Sequence, residues 1–381
     1  MSKKVLIFST AYLPHTGGAE IAIEEITDRL SDHDFDMVTA RLDRSWSKKE
    51  QIKNITVHRV GIGWPIFDKL LLAFLGHRKA LKLHREKEYD LIWSIMASYN
   101  SFTTLSFKER TDVPYLLTLQ AGNSMDYMEK KTQLIRNRYK KVFTKADGLQ
   151  AISTYLMEWG KKMGFDGEVK EIVPNGVDLD VFDIEVSDEK KQQVRDELEV
   201  KQDDFVLVTA SRLVKKNGIE YVVRALADLP EEVKFVVCGE GELGGKIREV
   251  AQDLGVKNRV LFQDNVDHNR LVNILHASDV FIRPSLTEGL GNAFLEAMAT
   301  GTPIIGTKAG GISDFLEDGE TGFVCEPKDP DSIVEAVERI RGLDESELKG
   351  IESSAQELVR SKYNWNNIAE EVNKIFKTIS I

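Results

Sequence analysis

Two carboxylates eight residues apart, Glu288 and Glu296, lie in a stretch that ends an apolar strand pattern and enters a helix pattern. Each carboxylate accepts two hydrogen bonds, so the pair suits neighbouring hydroxyls of a ribose or a hexose. A helix that begins after glycines offers backbone N–H groups to an anion or a sugar hydroxyl. The residues in that position are Gly289, Leu290, Gly291 and Asn292. A capped helix with two solvated acids would show the same pattern.

A glycine pair, Gly17 and Gly18, lies between the first predicted strand, Val5–Ser9, and the first predicted helix, Ala19–Leu30. Glycines at such a turn let backbone N–H groups approach a phosphate, and the helix dipole favours the anion. A tight turn without a ligand would need the same glycines. The spacing therefore leaves both interpretations open.

Residues 239–244 form a G-x-G-x-x-G run after an apolar strand pattern, and Asp264 follows at about the spacing of a dinucleotide fingerprint. That fingerprint belongs to the first strand of its sheet, whereas this run follows the second predicted strand of its domain. Glu240 and Glu242 would also repel a pyrophosphate. We expect no NAD at this loop.

The elements that must position these residues are short β-branched runs alternating with longer helical patterns along nearly the whole chain. This alternation predicts the α/β class, with parallel sheets covered on both faces. The turn cluster Pro174–Asp178 predicts a boundary after residue 177. We therefore expect two Rossmann-like, doubly wound domains facing a cleft, where the carboxyl ends of strands usually bind ligands.

Composition limits the class of protein. The 381 residues are 42% hydrophobic and 30% charged, as in ordinary globular proteins, which excludes wholesale disorder. The longest strongly apolar stretch, Leu70–Gly76, is too short to span a bilayer, and the apolar run after the basic N-terminus is too short for a signal peptide. Cys238 and Cys325 resemble buried free thiols of a reducing compartment. These features predict a cytoplasmic protein.

Charge is distributed unevenly between the two halves of the chain. Residues 1–180 carry a net charge of +3 and the remainder –14, which together give the overall –11. One segment of the first half is both basic and helical in pattern; its cations are Lys130, Lys131, Arg136, Arg138, Lys140, Lys141 and Lys145. An apolar–basic stretch, Leu70–Arg85, precedes it. Such segments suit an anionic membrane or a phosphorylated acceptor, and a solvated face over core contacts would look alike. Nucleic acid is not expected, because the chain is acidic and carries no recognition motif.

The span Ala277–Asp331 resembles the donor-site signature of family 4 retaining glycosyltransferases of the GT-B fold. Glu288 to Glu296 is similar to the E-x7-E motif of that family. Further matches, in the family's order, are Gly17-Gly18, Asn175-Gly176-Val177-Asp178, Ser211-Arg212-Leu213, Thr300-Gly301-Thr302-Pro303, Gly310-Gly311-Ile312, Asp318-Gly319-Glu320-Thr321-Gly322 and Trp365. The resemblance therefore covers essentially the whole chain.

The resemblance implies an acceptor-binding domain over residues 1–177 and a nucleotide-sugar domain over 178–363. The last segment, 364–381, would be a helix that crosses back to the first domain. In this family Arg212 and a nearby lysine would neutralise the donor diphosphate, Glu288 would hold the donor sugar, and Glu296 the ribose. The donor would be a UDP- or GDP-sugar used as a co-substrate, with no metal and no other cofactor.

Two positions depart from the family's pattern. Asn217 stands where the family usually has a lysine, and Lys215 and Lys216 precede it. Gln120 stands where the family commonly has a histidine near the donor sugar. A glutamine can hydrogen-bond a hydroxyl but cannot carry a proton at neutral pH. We expect all four residues at the donor site, in segments whose side-chain directions the sequence does not give.

The sequence thus predicts a retaining hexosyltransferase whose catalytic residues are Arg212, Glu288 and Gln120. Its acceptor would be a glycan or a lipid-linked acceptor, and the N-terminal domain would make peripheral contact with an anionic membrane at its inner face. Two alternatives remain open: a sugar-nucleotide epimerase of related fold, and a catalytically weak nucleotide-sugar binding protein.

Overall fold

The apolar runs of the first half form one eight-stranded sheet in this computed structural model, which describes residues 2–264 and 266–379. The strands are β1 (Lys4–Phe8), β2 (Asp34–Ala40), β3 (Lys49–Ile52), β4 (Ile55–Val60), β5 (Leu91–Ile95), β6 (Tyr115–Leu119), β7 (Gly148–Ala151) and β8 (Val169–Ile172). Their order is β3-β4-β2-β1-β5-β6-β7-β8. All neighbours are parallel except β3 and β4, which pair antiparallel. The sequence did not predict β3, because Lys49-Glu50-Gln51-Ile52 is too short and too polar to show a strand pattern.

Six helices follow strands of this sheet. They are α1 (Gly18–Arg29), α2 (Pro65–Lys87), α3 (Tyr99–Lys108), α4 (Met125–Thr132), α5 (Arg136–Thr144) and α6 (Thr154–Lys162). Helix α1 illustrates the cause: Ala22, Ile23 and Ile26 fall on one side of the helix and are buried against the sheet.

The second half forms a separate six-stranded sheet. Its strands are β9 (Phe205–Ala210), β10 (Val233–Cys238), β11 (Val260–Gln263), β12 (Val280–Arg283), β13 (Ile304–Gly306) and β14 (Phe323–Val324). The order is β11-β10-β9-β12-β13-β14, with every pair parallel. Its helices are α7 (Leu179–Phe182), α8 (Asp188–Glu197), α9 (Ile219–Ala225), α10 (Gly244–Asp253), α11 (His268–His276), α12 (Asn292–Ala299), α13 (Pro330–Arg341) and α14 (Glu345–Lys362). The predicted class, α/β with two parallel-sheet, Rossmann-like domains, is confirmed.

The chain divides into two units. One runs to Asn175 and includes the last helix, α15 (Trp365–Ile379); the other is Gly176–Asn364. Helix α15 buries Ile368, Val372 and Phe376 in the core of the first unit, where the Phe376 and Trp93 rings lie 5.2 Å apart. The last helix therefore completes the hydrophobic core of the N-terminal domain.

Each sheet has a point at which its strand order reverses, and ligands of doubly wound sheets bind in the crevice there. In the first sheet this point lies between β1 and β5, and in the second between β9 and β12. The segment after β1 carries Gly17 and Gly18. The segments after β9 and β12 carry Arg212 and Glu288, so the sequence motifs stand at the two edges where chemistry is expected.

Both cysteines are buried free thiols. Burial raises the pKa of Cys238 and of Cys325 to about 12. The thiolate is the reactive form of cysteine, so neither side chain is primed as a nucleophile.

Removing the Phe376 ring should destabilise the N-terminal domain. We expect Phe376→Ala to lower the free energy of unfolding by about 3–5 kcal/mol, because a buried ring is lost and a cavity remains. The matched control is Glu370→Ala, on the exposed side of α15, which should change it by less than about 0.5 kcal/mol. Urea unfolding followed by tryptophan fluorescence measures both. Equal unfolding curves would show that α15 is not part of the core.

Candidate functional site

The loops after β9 and β12 meet at the reversal point of the second sheet. The backbone N–H of Leu286 donates to the Lys216 carbonyl oxygen at 2.6 Å. Gly218, with φ +71°, makes this approach feasible, because a Cβ there would lie 2.1 Å from the Pro284 carbonyl oxygen. Residues 215–217 form a 3-10 turn, which fixes the side-chain directions that the sequence did not give. The turn brings the lysine-containing segment against the segment that carries Glu288.

Glu288 is held by its backbone and by both oxygens of its side chain. Its carbonyl oxygen accepts from the Gly311 N–H at 3.1 Å, which ties the loop after β13 to the loop after β12. Lys216 Nζ donates to Glu288 Oε2 at 3.0 Å. Arg283 Nη2 lies 3.8 Å from the other oxygen, Oε1. The carboxylate is thus oriented before any ligand arrives, which is the property a sugar-binding acid needs.

Arg283 is the residue of this site that the sequence reading missed. It ends β12, is only 5% exposed, and lies over the Phe294 ring at 4.6 Å. Among the described residues, its Nε and Nη2 atoms have no hydrogen-bond partner. A charged residue at the carboxyl end of an otherwise apolar strand was the available signal. A buried guanidinium without full pairing is costly, and such costs concentrate at functional sites.

Glu296 lies one turn into α12 and is half-buried. Burial raises the pKa of its carboxyl above the ordinary value of 4.5, while His268 and Arg283 act in the opposite direction. Glu288 and Glu296 both act electrostatically on Arg283. The two acids and this arginine therefore form one charge group, with one acid in the loop and the other in the helix.

The cationic residues predicted for a diphosphate occupy different environments. Arg212 and Lys215 are exposed, whereas Lys216 is directed to Glu288. Asn217 is 5% exposed, and its side-chain amide donates to the Arg212 carbonyl oxygen at 2.7 Å. This contact favours a role for Asn217 in shaping the turn that carries Arg212. A lysine at 217 would have to bury an ammonium group, so this geometry does not favour tighter donor binding by an Asn217→Lys variant.

The glycines of the 239–244 run have a packing role. A Cβ on Gly239 would lie 2.3 Å from the Ser211 carbonyl oxygen, and one on Gly241 would lie 2.5 Å from that of Leu213. Leu213 N–H donates to the Glu240 carbonyl oxygen at 2.9 Å. These glycines let the loop after β10 support the backbone on both sides of Arg212.

In the N-terminal domain, Gly17 and Gly18 begin α1 as predicted for an anion-binding turn, but an acidic side chain lies over them. A Cβ on Gly17 would lie 2.7 Å from the Glu20 carboxylate. Glu20 is 5% exposed, and burial raises its pKa. Gln120 follows β6, and Asn175 Nδ2 donates to its side-chain oxygen at 3.5 Å. Contact of these residues with a donor stays a prediction.

Within residues 2–264 and 266–379, no group of three or more His, Cys, Asp or Glu side chains could hold a metal ion. No helix in the same residues is both long enough and apolar enough to cross a bilayer.

Two family models match the chain, one in each half. The model described as Glycosyl transferases group 1 matches residues 190–357, and Glycosyltransferase Family 4 matches residues 16–181. The resemblance carried by the sequence motifs is therefore confirmed. Together the two models match most of the chain, which belongs to the glycosyltransferases that they describe.

Curated relatives, two of them aligned over nearly their full length, are also glycosyltransferases. An uncharacterized glycosyltransferase of Methanocaldococcus jannaschii is 26% identical and aligns over 98% of both chains. A GDP-mannose-dependent monoacylated alpha-(1-6)-phosphatidylinositol monomannoside mannosyltransferase of Corynebacterium glutamicum is 24% identical over 99% of this chain and 98% of the relative. A lipopolysaccharide 1,2-N-acetylglucosaminetransferase of Salmonella typhimurium is 31% identical over 54% of this chain and 56% of its own.

Solved structures share the fold. Sucrose-phosphate synthase from Thermosynechococcus elongatus superposes with a TM-score of 0.84 at 21% identity, covering 99% of each chain. Anabaena HepE, solved in complex with UDP-glucose, superposes with a TM-score of 0.81 at 20% identity, over 99% of this chain and 100% of that one. The two domains therefore have the GT-B fold of these neighbours.

Glycine at position 310 should be required for the position of Glu288. Gly310 has φ +65°, and a Cβ there would lie 2.1 Å from the Glu288 carbonyl oxygen. We expect Gly310→Ala to displace the Glu288 loop and to weaken binding of a UDP- or GDP-sugar by about tenfold or more, a loss of about 1.4 kcal/mol. Gly245→Ala is the matched control, because a Cβ at Gly245 meets nothing within 4 Å. Calorimetric titration measures both, and equal affinities would contradict the assigned role of Gly310.

Glu296 should lower the stability of the protein at neutral pH. Its raised pKa means that the folded state favours the protonated acid, so stability falls as the pH rises above the ordinary value of 4.5. Glu296→Gln should match the wild type at acidic pH and exceed its stability at neutral pH. Thermal unfolding across this pH range measures the difference, with the exposed Glu249→Gln as control. A Glu296→Gln variant that is less stable at every pH would show that the ionised acid is stabilised instead.

Proposed function

We propose that this protein is a retaining hexosyltransferase. It would move a hexose-type sugar from a UDP- or GDP-sugar to a glycan or lipid-linked acceptor and keep the anomeric configuration. The observation that carries the proposal is the orientation of the Glu288 carboxylate by Lys216 and Arg283. This carboxylate lies where the strand order of the second sheet reverses, in the domain that the group 1 model matches. A carboxylate fixed there is placed to accept hydrogen bonds from hydroxyls of a donor sugar.

In this proposal the donor is held through three groups of residues. Glu296 accepts from the ribose hydroxyls, and Glu288 with the backbone of Gly289–Asn292 holds the transferred sugar. Arg212 and Lys215 neutralise the diphosphate, since both are exposed beside the site whereas Lys216 pairs with Glu288. Two names among the similar proteins support a nucleotide-sugar donor: the mannosyltransferase relative is GDP-mannose-dependent, and HepE was solved with UDP-glucose.

The proposed chemistry stabilises a leaving diphosphate and a cationic sugar. Preorganised positive charge near a leaving group is commonly the largest catalytic contribution of such sites. Arg212 and Lys215 supply that charge without a metal ion in this scheme. Glu288, paired with Lys216 and close to Arg283, would face the positive charge that develops on the sugar. Within the N-terminal domain, Gln120 would hydrogen-bond a hydroxyl, and the Gly17–Gly18 turn would bind an anionic group.

The acceptor is assigned to the N-terminal domain, which has a basic cavity of about 300 Å³. Its cations are Lys130, Arg136, Lys140 and Lys162, of which Lys162 pairs with Glu129 at 2.6 Å. An acceptor that carries phosphate fits this charge. Relatives named for phosphatidylinositol mannoside and lipopolysaccharide synthesis support an acceptor in a membrane. We therefore propose a cytoplasmic enzyme that contacts the inner face of the membrane peripherally.

Glutamine substitutions should separate the two acids. Glu296→Gln should weaken binding of UDP or GDP itself, because the ribose loses a charged acceptor, at a cost of about 1–3 kcal/mol. Glu288→Gln should leave nucleotide binding intact and depress transfer, because only the sugar contact changes. Calorimetry with the nucleotides, together with turnover of the nucleotide sugar, measures the split. Normal binding and turnover in both variants would show that Glu288 and Glu296 do not contact the donor and are only acids of a capped helix.

Arg212→Ala should lower the transfer rate by about 100-fold if the guanidinium stabilises the leaving diphosphate. Lys201→Ala, an exposed cation outside the site, is the matched control. Product analysis of the wild type distinguishes the alternatives. A glycosylated acceptor with retained configuration supports the proposal, an isomerised nucleotide sugar indicates an epimerase, and binding without product indicates a nucleotide-sugar binding protein.

A further inference from the structure

Helix α2 of the N-terminal domain exposes a long apolar row that continues into a basic row. The exposed residues at four-residue spacing are Ile66, Leu70, Phe74, Arg78 and Lys82, with Phe67 beside them. We call these six residues the α2 face. Ile66 is 78% exposed, Phe67 58% and Phe74 70%. Residues four apart stack on one side of a helix, so the apolar half and the cationic half form one continuous stripe.

The opposite side of α2 is fully used by the fold. Leu72, Ala73, Ala80 and Leu83 are buried. The exposure of the α2 face therefore does not come from a poorly packed helix. Large aromatic and aliphatic side chains that stay in water on a well-packed helix mark a surface with a partner.

The start of α2 is held rigidly. Asp68 is fully buried, and its carboxylate accepts from the N–H groups of Ile62 at 2.9 Å, Gly63 at 2.6 Å and Trp64 at 2.9 Å. This network presents Trp64, which is 49% exposed, next to the α2 face. The Arg44 guanidinium lies 5.2 Å from the Trp64 ring centre. An aromatic ring with an adjacent cation suits the boundary between lipid and water.

Charge selects the kind of partner. Asp68 is the only acid between residues 62 and 85, and it is buried, so the exposed stripe carries cations alone. The stripe begins directly after β4. The basic segment that begins with α4 follows β6, and both strands run parallel to β1 and end at the same edge of the sheet. There Leu134 is 100% and Ile135 45% exposed among lysines and arginines. The apolar start of the stripe and the basic segment thus lie at one edge, whereas the cationic end of α2 runs towards the opposite edge, where Lys87 contacts Lys4 and Asp34. Apolar and cationic side chains spread over this length fit an extended anionic surface better than a small protein partner.

We propose that the α2 face docks the protein on an anionic lipid bilayer. Its apolar half inserts at the boundary between the lipid headgroups and the acyl chains, and its cationic half lies against lipid phosphates. The inference rests on the proposed membrane-bound acceptor and adds the surface that reaches it. Because the apolar start of the stripe lies at the edge of the sheet that carries the Gly17–Gly18 turn, docking would bring an acceptor headgroup to that edge.

Cosedimentation with vesicles tests the proposal. The probes are vesicles of phosphatidylcholine alone and of phosphatidylcholine mixed with phosphatidylglycerol. Wild-type protein should bind the mixed vesicles and bind phosphatidylcholine weakly. The double variant Phe67→Ser, Phe74→Ser should lose about tenfold or more in partitioning, because two rings no longer enter the interface. The matched control is Leu254→Ser, a 39% exposed leucine of the C-terminal domain, which should bind as the wild type does.

A charge series separates the two halves of the stripe. Arg78→Gln with Lys82→Gln should weaken binding to the mixed vesicles by about fivefold per cation and should make that binding less dependent on salt. Lys201→Gln with Lys257→Gln removes two exposed cations elsewhere and serves as control. Equal vesicle binding by the wild type and the serine double variant would overturn the proposal. So would a lipid-free dimer that the serine variant abolishes, since the occupant would then be a second copy.

Titration of the same proteins with UDP and GDP tests the proposed transfer function separately from the proposed docking surface. Vesicle binding without nucleotide binding would support the docking surface and contradict the proposed transfer function. Nucleotide binding by a wild type that ignores both vesicle types would contradict the docking surface alone. Unchanged nucleotide affinity in the serine variant also shows that the variant is folded.

Discussion

The arrangement of the site depends on one residue, Glu288, to which three loops are joined. Its carbonyl oxygen accepts from the loop after β13, and its carboxylate pairs with the turn after β9 and with the end of β12. Parallel strands alone would bring these loops to one edge but would not fix their side chains. Gly218 and Gly310 have positive φ and stand where any Cβ would collide with the neighbouring loop. The glycines thus allow the loop backbones to pack closely around Glu288, and this packing orients its carboxylate.

The charges around Glu288 show a compromise between stability and function. Arg283 is buried with unpartnered donor atoms among the described residues, and Glu296 has a raised pKa through burial. Both features cost folding free energy, and a hydrophobic pair would pack at lower cost. They become useful once a polar ligand supplies hydroxyls and phosphates. This is the pattern that the proposed donor site would need, since charged groups there would be preorganised for a ligand.

Much of the fold could be predicted from sequence because parallel strands buried on both faces are strongly apolar. Val206–Ala210 and Ile304–Gly306 show this, and the observed division after Asn175 lies close to the predicted one after residue 177. Strand β3 was not predicted because it is a polar edge strand. Arg283 was not predicted as a site residue because a single charge gives no periodicity. Only its tertiary contact with Glu288 indicates a role in the site. The direction of the Asn217 amide depends on the 3-10 turn, which side-chain spacing does not encode.

The central claim is that the loops after β9 and β12 hold a nucleotide-sugar donor. A crystal structure of the protein with a UDP- or GDP-sugar tests it most directly. The account predicts ribose hydroxyls within hydrogen-bond distance of Glu296, the diphosphate beside Arg212 and Lys215, and the sugar at Glu288. A nucleotide bound at the loop of residues 239–244, or anywhere away from Glu288 and Glu296, would contradict it.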